Sequence, residues 1–188
     1  FREWGLDARG KALSAGDAKS FSDIADRLAH RVADLPKGFV HRDYQSRNLM
    51  VVDKNGLRLV WIDFQDALLG PRVYDLVALL TDSYQDFERS FVEERLAEYA
   101  EAAALPPKQR KSLASEFDLV TVQRKLKDAG RFVFIDKKKG NASFLRFVTP
   151  TVRKVDGALA RLESKDADMK ELRAVLKRTL GEELTGQP

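Results

Sequence analysis

Apolar residues recur at helical spacing along most of the chain and cluster into short strand-like runs in one stretch only. Phe21, Ile24, Ala25, Leu28 and Val32 predict an amphipathic helix over 20–35, with Ser20 or Ser22 as cap and Pro36 as stop. After Gly70-Pro71, Leu76, Val77, Leu79 and Leu80 predict a mostly buried helix over 73–84. Phe87, Phe91, Leu96 and Tyr99 predict a second, more exposed one. Pro106-Pro107 breaks the chain and suits a helix start, from which Leu113, Phe117, Val120 and Leu126 predict a long helix that can continue past Gly130. Two more helices are predicted over 150–162 and 167–180. No repeat or Gly/Ser-rich linker interrupts the pattern, so it reads as one continuous unit.

The strand-like stretch consists of two short apolar runs, 49–53 and 58–62, on either side of Lys54-Asn55-Gly56-Leu57. Asn-Gly between such runs predicts a hairpin, because both central residues of a type I′ turn need positive φ. With Asn55 and Gly56 as the loop, Asp53 faces Arg58, Val51 faces Val60 and Met50 faces Trp61 as core residues. Further out, Asn48 faces Asp63, with Cβ atoms about 5 Å apart.

Composition narrows the possible chemistry. The 188 residues include no cysteine, which excludes disulfide scaffolds, Cys-ligated metals and thiol nucleophiles. His30 and His41 are the only histidines, too few for a multi-histidine metal site or a conventional Ser-His-Asp hydrolase. No apolar run approaches the roughly 20 residues of a membrane span, which predicts a soluble, cytoplasmic protein. The start, Phe1-Arg2-Glu3-Trp4, reads as the interior of a longer chain.

The net charge of +4 is unevenly spread: residues 1–104 carry −4, and residues 105–188 carry +8. The basic part suits an anionic partner or solvated helix faces. Arg124, Lys127 and Arg131 recur there at helical spacing, so they line a pocket for an anionic sugar or form a solvated face. Lys137-Lys138-Lys139 reads as an exposed loop.

The Asn48/Asp63 pair offers a side-chain carbonyl and a carboxylate, hard oxygen ligands of the kind Mg²⁺ takes while keeping waters and substrate phosphates. Asp43 lies just upstream, in His41-Arg42-Asp43-Tyr44-Gln45-Ser46-Arg47-Asn48, where an acid can orient a substrate hydroxyl and accept its proton. His41-Arg42-Asp43 with Asn48, then Ile62-Asp63-Phe64, resembles the catalytic loop and metal-binding segment of protein-kinase-like phosphotransferases. The resemblance implies Asp43 as catalytic base, Asn48 and Asp63 as Mg²⁺ ligands, His41 bracing the loop, and ATP as phosphate donor. It also implies that Asp75, in Tyr74-Asp75-Leu76-Val77, holds the loop through backbone hydrogen bonds.

Gln65 stands where a protein kinase has Gly, Gln45 where serine/threonine kinases have Lys, and no Ala-Pro-Glu follows. Trp61-Ile62-Asp63-Phe64-Gln65-Asp66-Ala67 with Gly70-Pro71 and Tyr74-Asp75-Leu76-Val77 instead resembles the aminoglycoside phosphotransferase and choline kinase-like family, which phosphorylates small-molecule hydroxyls. Asp66 is a substrate contact or a tie for the Gly70-Pro71 turn. Residues 41–50 and Gln123-Arg124-Lys125-Leu126-Lys127 through Gly130-Arg131-Phe132 are similar to a bacterial branch of cell-wall amino-sugar kinases, which act on the anomeric hydroxyl of N-acetylmuramate and N-acetylglucosamine.

No Gly-x-Gly-x-x-Gly or Val-Ala-Ile-Lys-like strand is present to clamp nucleotide phosphates. The resemblance therefore implies an α+β, mostly helical C-terminal lobe of a protein-kinase-like fold, without its N-terminal nucleotide-binding lobe and poorly active alone. The expected partner is a small-molecule hydroxyl substrate, an amino sugar first, rather than nucleic acid or membrane. An aminoglycoside or choline kinase is the rival within the enzyme class, and a non-catalytic anion or nucleic-acid binding module the rival outside it. The second rival lacks aromatic residues interleaved with its basic ones as a stacking platform.

Overall fold

The computed structural model describes residues 1–53, 56–83 and 85–185, with the side chains of Glu182 and Thr185 left aside. In chain order it holds short turns at Arg2–Leu6 and Asp7–Arg9, α1 (Ala15–Ala33), β1 (Lys37–Val40), a 3₁₀ turn at Ser46–Asn48, β2 (Leu49–Val52), β3 (Arg58–Trp61) and β4 (Leu68–Pro71). Then follow α2 (Tyr74–Leu80), α3 (Arg89–Ala102), α4 (Pro107–Lys139), a 3₁₀ turn at Ala142–Phe147, α5 (Val148–Leu162) and α6 (Ala167–Thr185). The protein is thus mostly helical with two small antiparallel sheets. No described helix is long and apolar enough to cross a membrane.

The continuous unit expected from composition divides into two compact ones, Phe1–Val32 with Thr121–Pro188, and Ala33–Val120. One boundary falls inside the unbroken helix α4, so no linker composition marks it.

In the first unit, Val148, Val152, Val155, Leu159 and Leu162 form the buried stripe of α5, which packs against α6. The buried residues of α6 are Met169, Leu172, Val175, Leu176 and Leu180. Arg27 of α1 donates two 2.8 Å bonds to Asp168 of α6. Helix α1 begins five residues before the predicted start, because Ser14 Oγ accepts the Asp17 N–H at 3.1 Å and caps it, in place of Ser20 or Ser22. Lys137-Lys138-Lys139 is the last turn of α4 and not a loop, where three cations suit the negative end of the helix dipole.

Helix α4 also buries charge. Lys125 is 2% exposed, with Nζ 3.3 Å from Asp128 Oδ2. Burial pushes its ammonium down from 10.5 to about 8, against the pull of Asp128. Between about pH 8 and 10.5 the unfolded chain holds a proton that the folded protein has lost, so this group makes stability rise with pH across that window. Below pH 8 the full penalty of burying the charge remains. Lys125→Met is expected to remove that rise. Urea unfolding of both proteins at pH 7 and pH 10 checks it; an equal rise in the variant would show that Lys125 is not its source.

In the second unit, β1 pairs with β4 and β2 with β3, both antiparallel. The first pair has no counterpart in the sequence reading: Gly70-Pro71, expected as a turn, lies in β4, with Gly70 opposite Gly38 and Pro71 opposite Lys37. A Cβ on Gly70 would sit 2.9 Å from the end of the exposed Leu68 side chain, which would have to turn aside, and 3.4 Å from Val40 Cγ2. Val40, Val73, Val77, Leu96, Leu113, Phe117 and Val120 form the core of this unit. Arg72, just past β4, is buried and donates to both oxygens of the equally buried Glu116 on α4, at 3.1 and 3.0 Å. Its third nitrogen donates to Gln109 Oε1.

Candidate active site

The β2–β3 register differs from the predicted one by one residue. Leu49 faces Trp61, Met50 faces Val60, Val51 faces Leu59 and Val52 faces Arg58. The connection is therefore longer than a two-residue type I′ turn; Gly56 takes φ +100°, while Asn55 lies outside the described residues. Because side chains alternate along a strand, this slip changes every cross-strand neighbour. Met50 and Trp61 are each half exposed, not core, and Val51, Leu59, Val60 and Ile62 are exposed with them.

In this register Asn48 is opposite Ile62, whose N–H donates to the Asn48 carbonyl at 3.1 Å, and not opposite Asp63. Backbone turns bring the two side chains together instead. Asn48 closes the Ser46–Asn48 turn, and Asp63 leaves the strand with φ +67°, a left-handed conformation that short polar side chains tolerate best. Asn48 Nδ2 then lies 3.5 Å from Asp63 Oδ2 and donates to the Asp43 backbone carbonyl at 2.8 Å. One amide thus links Asp43 and Asp63. Gln65, which the sequence reading noted only as a departure from glycine, donates from Nε2 to Asp63 Oδ1 at 2.9 Å. Its position two residues past Asp63 is the signal that could have found it.

The loop around Asp43 is held from below. Asp75, in the first turn of α2, accepts from the backbone N–H of His41 at 2.6 Å and of Arg42 at 3.0 Å. The second bond accompanies φ +74° at Arg42, a costly backbone conformation for a long side chain that surrounding bonds must hold. His41 is 1% exposed, and its Nε2 lies 3.0 Å from the Ile62 carbonyl, so the proton is on Nε2. Tyr44 packs edge-on between His41 and Trp61, with ring centroids 5.9 and 5.6 Å away. Burial, then the Asp75 carboxylate, pushes its phenol up.

Asp66 is exposed, and its backbone carbonyl lies 3.5 Å from Arg42 Nη1. His41, Asp43, Asn48, Asp63, Asp66 and Asp75 all belong to the second unit, whereas Arg124, Lys127 and Arg131 belong to the first. Those three do not share one solvated face: Arg124 is 3% exposed, while Lys127 and Arg131 are at the surface and line a cavity.

Among the described residues, no three His, Cys, Asp or Glu side chains converge on a common point. A cation in the second unit would rest on Asn48 and Asp63, two hard oxygen donors, with phosphate and water oxygens completing its shell. That donor set fits Mg²⁺, which demands octahedral oxygen ligation and keeps several waters. It does not fit the nitrogen or sulfur ligation of structural zinc. With Nδ2 engaged by the Asp43 carbonyl, Asn48 has Oδ1 as its oxygen donor.

A profile of the phosphotransferase enzyme family matches residues 2–110. The chain is also similar to N-acetylmuramate/N-acetylglucosamine kinases. It is 33% identical to that of Neisseria meningitidis serogroup B over 189 aligned residues, covering 97% of this chain and 54% of the relative. It is 34% identical to that of Pseudomonas aeruginosa over 181, covering 93% and 50%, and 34% identical to that of Pseudomonas putida over 152, covering 77% and 43%. The chain thus spans about half the length of the curated relatives it matches.

Proposed function

The chain belongs to the phosphotransferase enzyme family, and from that premise we propose that it carries the catalytic loop of an ATP-dependent small-molecule kinase whose acceptor is an amino sugar. The link from Asn48 Nδ2 to the Asp43 backbone carbonyl and to Asp63 Oδ2 carries the reading, since it ties the loop that bears Asp43 to the two oxygen donors. The names of the relatives support the choice of acceptor.

In this reading Asn48 Oδ1 and the Asp63 carboxylate would hold Mg²⁺, which would supply positive charge against the nucleotide phosphates. Asp43 aligns the acceptor hydroxyl. As the hydroxyl oxygen bonds to the γ-phosphorus and the bond to the β-bridging oxygen breaks, ADP leaves and the Asp43 carboxylate takes the proton. His41 and Asp75 keep the loop in place through the bonds at Ile62 and at the His41 and Arg42 amides.

We further propose that the chain is a C-terminal lobe completed by an N-terminal nucleotide-binding lobe. The exposed apolar side chains of Met50, Val51, Leu59 and Val60, on both faces of the β2–β3 hairpin, and of Phe64 just past it support this, because such surface suits a covering partner.

The test offers N-acetylmuramate, N-acetylglucosamine, an aminoglycoside and choline with Mg-ATP, first to the chain alone and then to the chain preceded by a nucleotide-binding lobe. Transfer to the N-acetyl sugars, weak from the chain alone and strong with the lobe, is the expected result. Transfer only to the cationic acceptors would overturn the choice of acceptor.

A further inference from the structure

We propose that the first unit holds a binding site for an aryl carboxylate, a small molecule with an aromatic body and one anionic head. The site is a cavity of about 470 Å³ between α1, α4 and the turn at Arg2–Leu6, within the size range of small-molecule pockets.

Its walls are aromatic and aliphatic. Trp4 and Phe134 meet edge to face with centroids 5.1 Å apart, and Phe21 and Leu126 add apolar surface. The space exists because α1 presents Ala25 and Ala29, four residues apart on one face, where longer side chains would close it. An offset or edge-on aromatic ring is the body such walls accept best.

The charged side chains at the cavity are of one sign, beside the neutral amide of Gln123. Lys127 and Arg131 follow each other at i and i+4 on α4 and line it, and no acidic side chain does. The Arg131 guanidinium lies 5.1 Å from the Phe134 ring centre, and Lys138 Nζ lies 5.5 Å from that of Trp4, so cationic heads are already placed against the aromatic walls. Lys127 also contacts Asp128, at 3.4 Å, but that single carboxylate is shared with Lys125 at 3.3 Å and Arg124 at 3.9 Å, which leaves the cluster net positive. A carboxylate matches the planar fork of Arg131 and the charge of Lys127. The segment 123–131 thereby acquires a role that needs neither a solvated face nor the reaction assigned to Asp43.

Trp4 and Trp61, the only tryptophans, lie in different units and give the site its own readout. The ¹⁵N-labelled chain is titrated with 3-phenylpropionate, 3-phenylpropan-1-ol and 3-phenylpropylamine, following the two indole N–H signals, assigned with Trp61→Phe. Saturable movement of the Trp4 signal by the carboxylate is expected, with affinity about tenfold lower for the alcohol, equivalent to one lost charge-assisted hydrogen bond, and none for the amine. Lys127→Glu with Arg131→Glu, both surface positions whose change leaves the core untouched, should abolish carboxylate binding. Asp43→Asn should leave it unchanged, which separates this site from the kinase reading. An unmoved Trp4 signal, equal responses to the three probes, or no effect of the charge reversal would each overturn the proposal.

Discussion

Asp43→Asn is expected to lower turnover by about three orders of magnitude, in the range general-base removal costs, while nucleotide affinity stays within about twofold. The carboxamide cannot take the proton of the acceptor hydroxyl, yet the substitution leaves the scaffold standing for a specific reason. Asn48 donates to the backbone carbonyl of Asp43 and not to its carboxylate, and the loop hangs on Asp75 through the His41 and Arg42 amides. None of those bonds involves the atoms that change. Steady-state kinetics with Mg-ATP and an N-acetyl sugar, beside nucleotide titration of the same variant, checks both halves. Unchanged turnover would remove Asp43 from its assigned role, and lost nucleotide affinity would show that it acts through the loop's shape.

Arg72→Met is expected to destabilise the protein by about 3–5 kcal/mol, because it leaves the buried Glu116 carboxylate without its bidentate partner. Of the groups around Glu116, the Ser112 hydroxyl at 2.7 Å would remain, a neutral donor that cannot replace a guanidinium. Arg72 also stands three residues before Asp75, so loosening it releases the start of α2 that holds the His41 and Arg42 amides. Arg72→Met with Glu116→Leu should recover most of the loss, since an apolar pair of similar volume can substitute for a buried ion pair. Denaturant unfolding of the three variants reads this; a double variant as unstable as the single would mean that shape and not charge sets the cost.

The residues of the proposed site could be picked out because each is marked by type and spacing. Asp43 and Asn48 stand five apart in one loop, Asp63 follows an apolar run, and Asp75 opens a helix. The helices were legible for a similar reason: 3.6-residue periodicity survives in α1, α4, α5 and α6 even where boundaries shift. Local turn chemistry misled at the hairpin. Asn55-Gly56 predicts a two-residue loop, but the observed pairing is displaced by one residue, and Met50 and Trp61 part company. Strands β1 and β4 escaped notice because four-residue strands holding Gly38, or Gly70 and Pro71, carry no alternation, and their partner lies about thirty residues away.

What the sequence alone determined is therefore the inventory: a mostly helical phosphotransferase-like chain, an acid, two oxygen donors, and a basic second half. Periodicity and local motif are properties of neighbouring residues, so they can be read without the fold. The tertiary structure decided how the inventory meets. It brings Asn48 to Asp63 through a left-handed turn and not a ladder position, buries Arg124 and Lys125 on the helix that exposes Lys127 and Arg131, and pairs Arg72 with Glu116. Each of these depends on which atoms exclude water from which others, and desolvation is set by contacts between segments far apart in the chain.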